Sequence, residues 1–183
     1  MRILGKVSPL RSLASLYCRT ESSRVRLFGL DFPNPVGLAA GMDKNGEFIR
    51  SAFALGFGHV EIRTITPQRQ LGNPRPRLFR YPSVGGIVNR MGFNNDGAEI
   101  VTGRIKRNYP REKRHAPLGI NIGKAKTTDI DQAAEDYITC FKIAADQADY
   151  IAINISSPNT RSLRTLQKPD RLEPLLAAIN QAR

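Results

Sequence analysis

From Pro35 onward, short apolar runs alternate with longer segments in which apolar residues recur every three or four positions. The short runs are Val36 to Ala40, His59 to Thr64, Leu118 to Ile122 and Tyr150 to Ile155. Each is too brief for a buried helix and is bounded by glycine, proline or asparagine, so each predicts a strand. Phe48, Ile49, Ala52, Phe53 and Leu55 share one face of a first predicted helix, and Ile100 and Ile105 lie in a second. Tyr137, Ile138, Phe141, Ile143 and Ala144 mark a third, with Thr128 and Asp129 before Ile130 as its start signal, and a last helix runs from about Pro169 to the end.

Apolar strands that alternate with helices imply parallel pairing, because helices then cover the sheet faces or the outside of a closed barrel. Four such units are visible, and a complete eightfold barrel takes about 250 residues. Periodicity is equally compatible with half of a (β/α)8 barrel and with a small open sheet complete in itself. The connection from Thr66 to Asn95 is much longer than the usual strand-to-helix loop, and an insertion of that kind commonly carries function.

Ahead of these units, residues 1 to 24 are basic and serine-rich, with Ile3, Val7, Leu10, Leu13, Ala14 and Tyr17 spaced as on one helix face. Three readings fit: a membrane-surface helix, a core-packing helix, and a transit peptide basic and poor in acids. No apolar central region follows the charged start, which argues against a secretory signal. We accordingly divide the chain into an amino-terminal segment, 1–27, and the strand-helix body, 28–183.

Composition changes this picture little. With 40% hydrophobic and 24% charged residues, the 183-residue chain has the make-up of a globular protein, and no stretch approaches the roughly 20 apolar residues of a spanning helix. Cys18 and Cys140 have neither zinc-ligand nor disulfide-framework spacing, which suits a reducing compartment. The net charge of +12 is uneven: five arginines and no acid lie between Arg63 and Arg80. Such a surface attracts anionic partners, but no recognised reader of nucleic acid is present, so none is expected as a partner.

Polar residues gather where each predicted strand ends, the side on which parallel barrels build active sites. They are Ala39 to Gly46, Thr64 and Thr66, Asn121 with Gly123 and Lys124, and Asn154 to Thr160; a further cluster, Asn89 to Asn95, lies in the long connection. Singly, glycine and asparagine serve turns, and serine and threonine cap helices. Together they suit a planar, electron-poor ring with an imide-like edge, since amides both donate and accept and Lys44 offers a fixed positive charge. There is no Ser-His-Asp set, carboxylate pair or metal-ligand cluster at the strand ends, so hydrolysis and metal chemistry are poorly supported and no metal is expected.

The runs LAAGMDKNGE, TPQRQLGNPRPRLFR, NRMGFNND, LGINIGKAK, DYIAINISSPNT and LRTLQ resemble, in order and in register, those of the dihydroorotate dehydrogenases, flavin enzymes of pyrimidine synthesis. The resemblance runs from about Phe28 to the carboxyl end. It implies an α/β fold of the TIM type, a (β/α)8 barrel of which about the first four units are present. Soluble members of the family use a cysteine base and the quinone-linked, membrane-associated members a serine, and Ser157 in NISSPNT points to the second group.

Carried over residue by residue, the resemblance implies that Ala40, Lys44, Thr64, Asn121 and Asn154 contact flavin mononucleotide (FMN). Lys44, Asn89, Arg90, Met91, Gly92, Phe93, Asn94, Asn154 and Asn159 would bind dihydroorotate or orotate. Ser157 would remove a ring proton, helped by a neighbouring hydroxyl such as Thr160, while a hydride passes to the flavin. A quinone would be the oxidant. The location implied is peripheral, on the cytoplasmic side of the cell membrane or at the mitochondrial inner membrane, with residues 1–27 standing for the membrane-docking, quinone-admitting helices.

Two departures stand out. Arg63 occupies a position where the family has glycine, and period-two alternation predicts that it points away from Thr64, into the helix layer. Arg161-Ser162 replaces a Pro-Gly turn, which predicts a looser loop over the site. The chain by itself is expected not to turn over dihydroorotate, because the fifth to eighth strands of the family are not in it. The alternatives are an inactive fragment or a basic binding remnant, and a complete open-sheet binder.

Overall fold

A computed structural model describes residue 4 and residues 7–18 and 23–183. Helix α1, Ser8–Tyr17, carries a proline in its first turn, where no backbone donor is needed. The antiparallel pair β1, Val25–Leu27, and β2, Leu30–Phe32, follows. Phe28 and Gly29 turn between them with φ of 51° and 75°, the twist that suits a two-residue hairpin.

The body is a four-stranded parallel sheet in the order β3-β4-β7-β8. Its strands are β3, Gly37–Leu38; β4, His59–Ile65; β7, Leu118–Ile122; and β8, Tyr150–Ile153. Helix α2, Ile49–Ala54, joins β3 to β4; α3, Ala98–Asn108, precedes β7; α4, Ala133–Ala144, precedes β8; and α5, Pro169–Gln181, closes the described chain. This is the expected strand-helix alternation.

One face of the sheet holds the core. Val60, Ile62, Leu118, Ile120 and Ile122 are wholly buried in one cluster with Val101, Ile105, Tyr137, Cys140 and Ala144 of the helices. At about 25 cal/mol per Å2 of apolar surface removed from water, each such aliphatic side chain contributes roughly 1.5–3 kcal/mol. On the other face Tyr150 donates its hydroxyl to Glu61 Oε2 at 3.2 Å, and Asn121 Nδ2 donates to Glu61 Oε1 at 2.8 Å. The interior face is thus polar near the strand ends, while the helix-facing side is dry.

The structure corrects several expectations. The first strand spans only Gly37–Leu38, because Val36 is exposed and Ala39 and Ala40 have left the ladder; the fourth stops at Ile153. Thr128 and Asp129 do not cap the third helix: a 3-10 turn, Ile130–Gln132, intervenes, and no side-chain cap bond is made. Among the expected apolar positions, Ile100 and Leu55 are exposed. The core-packing reading of the amino-terminal helix fails, since α1 has no buried residue and exposes Leu10, Leu13 and Tyr17. Ile3 lies outside the described residues.

The long connection is not a bare loop. It contains a second antiparallel pair, β5, Leu78–Tyr81, and β6, Gly86–Asn89, joined through Gly85 at φ 60°.

Arg63 is the most consequential correction. Ile62 pairs with Ile120 and Ile65 with Ile122, so two residues of β4, Arg63 and Thr64, oppose the single residue Asn121. This bulge interrupts the period-two alternation on which the sequence expectation rested. The Arg63 backbone N–H donates to the carbonyl of Asp43 at 2.9 Å. Burial and the Arg77 guanidinium both push the Arg63 pKa down, and Arg63 and Arg77 add to the burial that lowers Lys44. The charge therefore sits with the cations at the strand ends rather than against the helices.

Candidate functional site at the carboxyl ends of the strands

The turn after β3 is built around Asp43, which is fully buried. Its Oδ1 accepts the N–H groups of Asn45 at 3.3 Å and Glu47 at 2.9 Å, and its Oδ2 accepts that of Phe48 at 2.7 Å. Asn45 and Glu47 are loop donors ahead of α2 and Phe48 is its cap residue, so Asp43 gathers the backbone of the turn and ties it to the start of the helix. The turn fixes Lys44. Its ammonium makes no hydrogen bond or ion pair among the described residues and lines a cavity of about 700 Å3 with Arg75, Arg77, Met91 and Asn94. The Lys44 pKa is lowered, first by burial and then by Arg63 and Arg77, with Asp43 opposing. Ala40, next to this turn, is exposed.

A second group converges on Thr64. Its Oγ1 donates to Asn121 Oδ1 at 2.6 Å and accepts from Asn154 Nδ2 at 2.8 Å. The three residues come from β4, β7 and the end of β8, so the parallel register brings them side by side. Gly123 is required here: a Cβ on it would lie 2.5 Å from Thr64 Cγ2 and 3.5 Å from the Phe93 ring. Phe93, buried at φ 50°, thereby joins this cluster.

The segment Asn89 to Asn95 is held by residues to which the sequence reading gave no role. Gln70 Nε2 donates to Gly92 O at 2.9 Å, and Asn73 Nδ2 donates to Arg90 O at 2.9 Å. Gly92, at φ 70°, admits no side chain, since a Cβ would meet Asn73 at 2.9 Å. Asn95 is the anchor: its Nδ2 donates to Thr66 Oγ1 and Phe93 O, and its Oδ1 accepts from Gly97 and Thr66. Asn94 Oδ1 is buried with no partner. Arg90 is bonded to Pro76 O and Asn89 is exposed at the end of β6, so these two are the least enclosed of the set.

Ser157 lies in the loop after β8. Its Oγ accepts the Asn159 N–H at 3.2 Å, and no hydrogen bond joins it to Lys44 or Asn94 among the described residues. Thr160 is buried beside it in sequence. Ser162 adopts φ 57°, a left-handed conformation that glycine takes freely and serine does not. The Arg161-Ser162 departure thus falls where backbone chemistry matters. Of the expected set, the structure gathers Lys44, Met91 and Asn94 around one cavity and Thr64, Asn121, Asn154 and Phe93 around one network. It keeps Ser157 and Asn159 on a separate loop.

Gln70, Asn73 and Arg77 were missed as site-building residues, while Asp43 and Asn95 fell inside the polar clusters and were given no role of their own. All five lie in the quoted runs, and Asp43 carried a readable signal, an acid just ahead of an apolar helix. Among the described residues no group of three or more His, Cys, Asp or Glu is placed to hold a metal, and no helix is long and apolar enough to cross a membrane.

This donor set fits one edge of a flavin. An unpaired ammonium, an orphaned amide oxygen and an amide-hydroxyl network match alternating ring N–H and C=O groups.

The family profile of dihydroorotate dehydrogenase matches residues 22–183. A dihydroorotate dehydrogenase (quinone) of Cellvibrio japonicus is 48% identical over 179 residues, covering 98% of this chain and 51% of the relative. One from Neisseria meningitidis is 56% identical over 155 residues, covering 85% and 45%. The crystal structure of the Eimeria tenella enzyme in complex with ferulenol superposes with a TM-score of 0.80 at 40% identity, over all of this chain and 50% of that one. The chain spans about half the length of the relatives it matches, and its sheet corresponds to half of their barrel.

Proposed function

This chain belongs to the dihydroorotate dehydrogenase family, quinone type, and from that premise we propose that it supplies the amino-terminal half of a site oxidising dihydroorotate to orotate with a quinone as final acceptor. The observation that carries the proposal is the network of Thr64, Asn121 and Asn154, taken together with the unpaired Lys44 ammonium in the neighbouring turn after β3.

In this reading Ala40, Lys44, Thr64, Asn121 and Asn154 hold the edge of FMN. FMN, when bound, accepts the hydride from the substrate ring. Lys44 meets the substrate carboxylate, and Asn94 Oδ1, which lacks a protein partner, takes a ring N–H. Asn89, Gly92, Phe93, Asn154 and Asn159 complete the substrate contacts. Arg90 and Met91 position this segment through the Arg90 bonds to Pro76 and the Met91 carbonyl that accepts from Asn73.

Ser157 is the base for the ring proton: as its Oγ takes that proton, its own hydroxyl hydrogen passes to a neighbouring hydroxyl, for which Thr160 is the candidate, or to water. The Asn159 N–H that donates to the Oγ favours the alkoxide character this relay requires. The outward leucines of α1 support a peripheral position on a membrane where a quinone is reached, either the cytoplasmic side of the cell membrane or the mitochondrial inner membrane.

The test is Lys44→Ala in a site completed with the carboxyl-terminal half of the Neisseria relative. Loss of a charged hydrogen bond, about 1.5–3 kcal/mol, weakens orotate by roughly tenfold to a hundredfold in calorimetry and lowers flavin retention with it. Unchanged affinity for both ligands would contradict the assignment. A rival reading, a basic remnant that binds an anionic partner without catalysis, draws on Arg63 beside Lys44 and Arg77. It predicts orotate binding that survives complete removal of the flavin.

A further inference from the structure

One row below the Thr64 network, the polar face of the sheet carries a carboxylate that the proposed site does not use. Glu61 pairs with Gly119 in the register of β4 with β7, and Gly119 pairs with Tyr150 in that of β7 with β8. The bare backbone at Gly119 lets this row close: a Cβ there would run into the Tyr150 ring, which lies across β7 to reach Glu61. Tyr150 donates its hydroxyl to Glu61 Oε2 at 3.2 Å. Asn121, two residues beyond Gly119, donates its Nδ2 to Glu61 Oε1 at 2.8 Å.

Glu61 has no ion pair among the described residues, so both its oxygens are held by neutral donors. Burial first, and then the Glu61 charge, push the Tyr150 phenol above its ordinary value. The hydroxyl therefore keeps the proton that it donates.

From Glu61 the hydrogen bonds run in one direction through the site. The Ser156 N–H donates to Asn154 Oδ1 at 3.2 Å, Asn154 Nδ2 to Thr64 Oγ1, Thr64 Oγ1 to Asn121 Oδ1, and Asn121 Nδ2 to Glu61. The chain starts at a backbone N–H, which only donates, and ends at a carboxylate, which only accepts. With both ends fixed, neither amide can turn over without setting donor against donor or acceptor against acceptor. A charged acceptor also strengthens the bonds behind it, since each polarised group accepts better from the next. One N–H of Asn121 and one of Asn154 make no further hydrogen bond among the described residues, and the polarity of the chain makes both of them donors to a ligand.

We infer that Glu61, braced by Tyr150 across Gly119, is a positioning residue of the flavin site, the terminal acceptor that orients the Asn121 and Asn154 amides so that their free N–H groups meet flavin carbonyl oxygens. The inference rests on the flavin reading of the network and adds the residue that sets its polarity.

Two measurements test it with Glu61→Leu, Glu61→Gln and Tyr150→Phe. In the 183-residue chain, NMR follows solvent exchange of the Asn121 side-chain hydrogens. Exchange should speed up by about tenfold or more in Glu61→Leu, which removes the acceptor, and by a smaller factor in Tyr150→Phe, which removes the brace. It should stay near the unaltered rate in Glu61→Gln, because the glutamine oxygen still accepts from Asn121 and the Tyr150 hydroxyl can turn to accept from its nitrogen. In the chain joined to the carboxyl-terminal half of the Neisseria relative, FMN affinity is read by quenching of flavin fluorescence. Glu61→Leu should weaken it by about tenfold or more, and Glu61→Gln should restore it to within about threefold, a rescue that altered folding alone does not produce. Should Glu61→Leu fail to fold, Tyr150→Phe still decides, and unchanged exchange in it would overturn the brace and the inference with it. Unchanged FMN affinity in Glu61→Leu, or an equal loss in Glu61→Gln, would also overturn it, the second by showing that charge and not acceptance is what matters. Failure of the unaltered joined protein to bind FMN would overturn the flavin reading instead, while the exchange rates would still show whether Glu61 orients Asn121.

Discussion

Thr64 and Asn121 meet across the two central strands, with the Thr64 hydroxyl donating to Asn121 Oδ1 at 2.6 Å in a pocket that leaves Thr64 only 2% exposed. The bulge in β4 makes this meeting possible by turning Thr64, together with Arg63, toward Asn121. Thr64→Val keeps the shape but strands Asn121 Oδ1 and Asn154 Nδ2. Chemical denaturation should show a loss of about 1–3 kcal/mol. A neutral outcome would mean that water satisfies both amides.

Arg63 works against Lys44. Both carry positive charge in a partly buried setting, and each has Arg77 as a further neighbour. Arg63→Gly should raise the Lys44 pKa, seen as a later titration of its side-chain resonances by NMR. The sign follows from the direction of the shift. A lysine whose folded pKa is depressed weakens the fold while charged, and that penalty fades only as the pH rises through the folded pKa toward the unfolded value. Removal of Arg63 should therefore stabilise the chain at neutral pH and have less effect under strongly alkaline conditions. A Lys44 titration that does not move would place Arg63 elsewhere.

Ser162 sits at φ 57° in the loop after Ser157. Ser162→Gly should stabilise the chain by about 0.5–1 kcal/mol in thermal or urea unfolding, because glycine adopts this region without the Cβ clash. If the substitution destabilises instead, the greater freedom of glycine in the unfolded chain outweighs the relief.

Much of this architecture was legible in the apolar pattern. Leu118, Ile120 and Ile122 give the strand one apolar face, all five residues are buried, and the strand falls where the pattern put it. The end strands were harder. Ala39, Ala40 and Ile155 continue apolar runs, but the turn at Asp43 and the loop carrying Ser157 take the backbone out of the ladder before those runs are over, and Val36 is exposed ahead of β3.

The site was legible as a list of residues and not as an arrangement. The asparagines stood out, but which of them support others depends on contacts between residues far apart in sequence, such as Asn154 with Thr64 and Asp96 N–H with Asn45. Arg63 shows the limit most sharply, since alternation predicts the wrong face for it and only the pairing of β4 with β7 reveals the extra residue.

The account stands or falls on Ser157 as the base of a site completed by a second barrel half. The direct measurement is anaerobic bleaching of the flavin band on mixing with dihydroorotate, in an Arg63→Gly chain joined to the carboxyl-terminal half of the Neisseria relative. Flavin should bleach in that protein and bleach about 10²–10⁴-fold more slowly after Ser157→Ala, with orotate affinity little changed. Equal rates with and without the Ser157 hydroxyl would contradict the assignment.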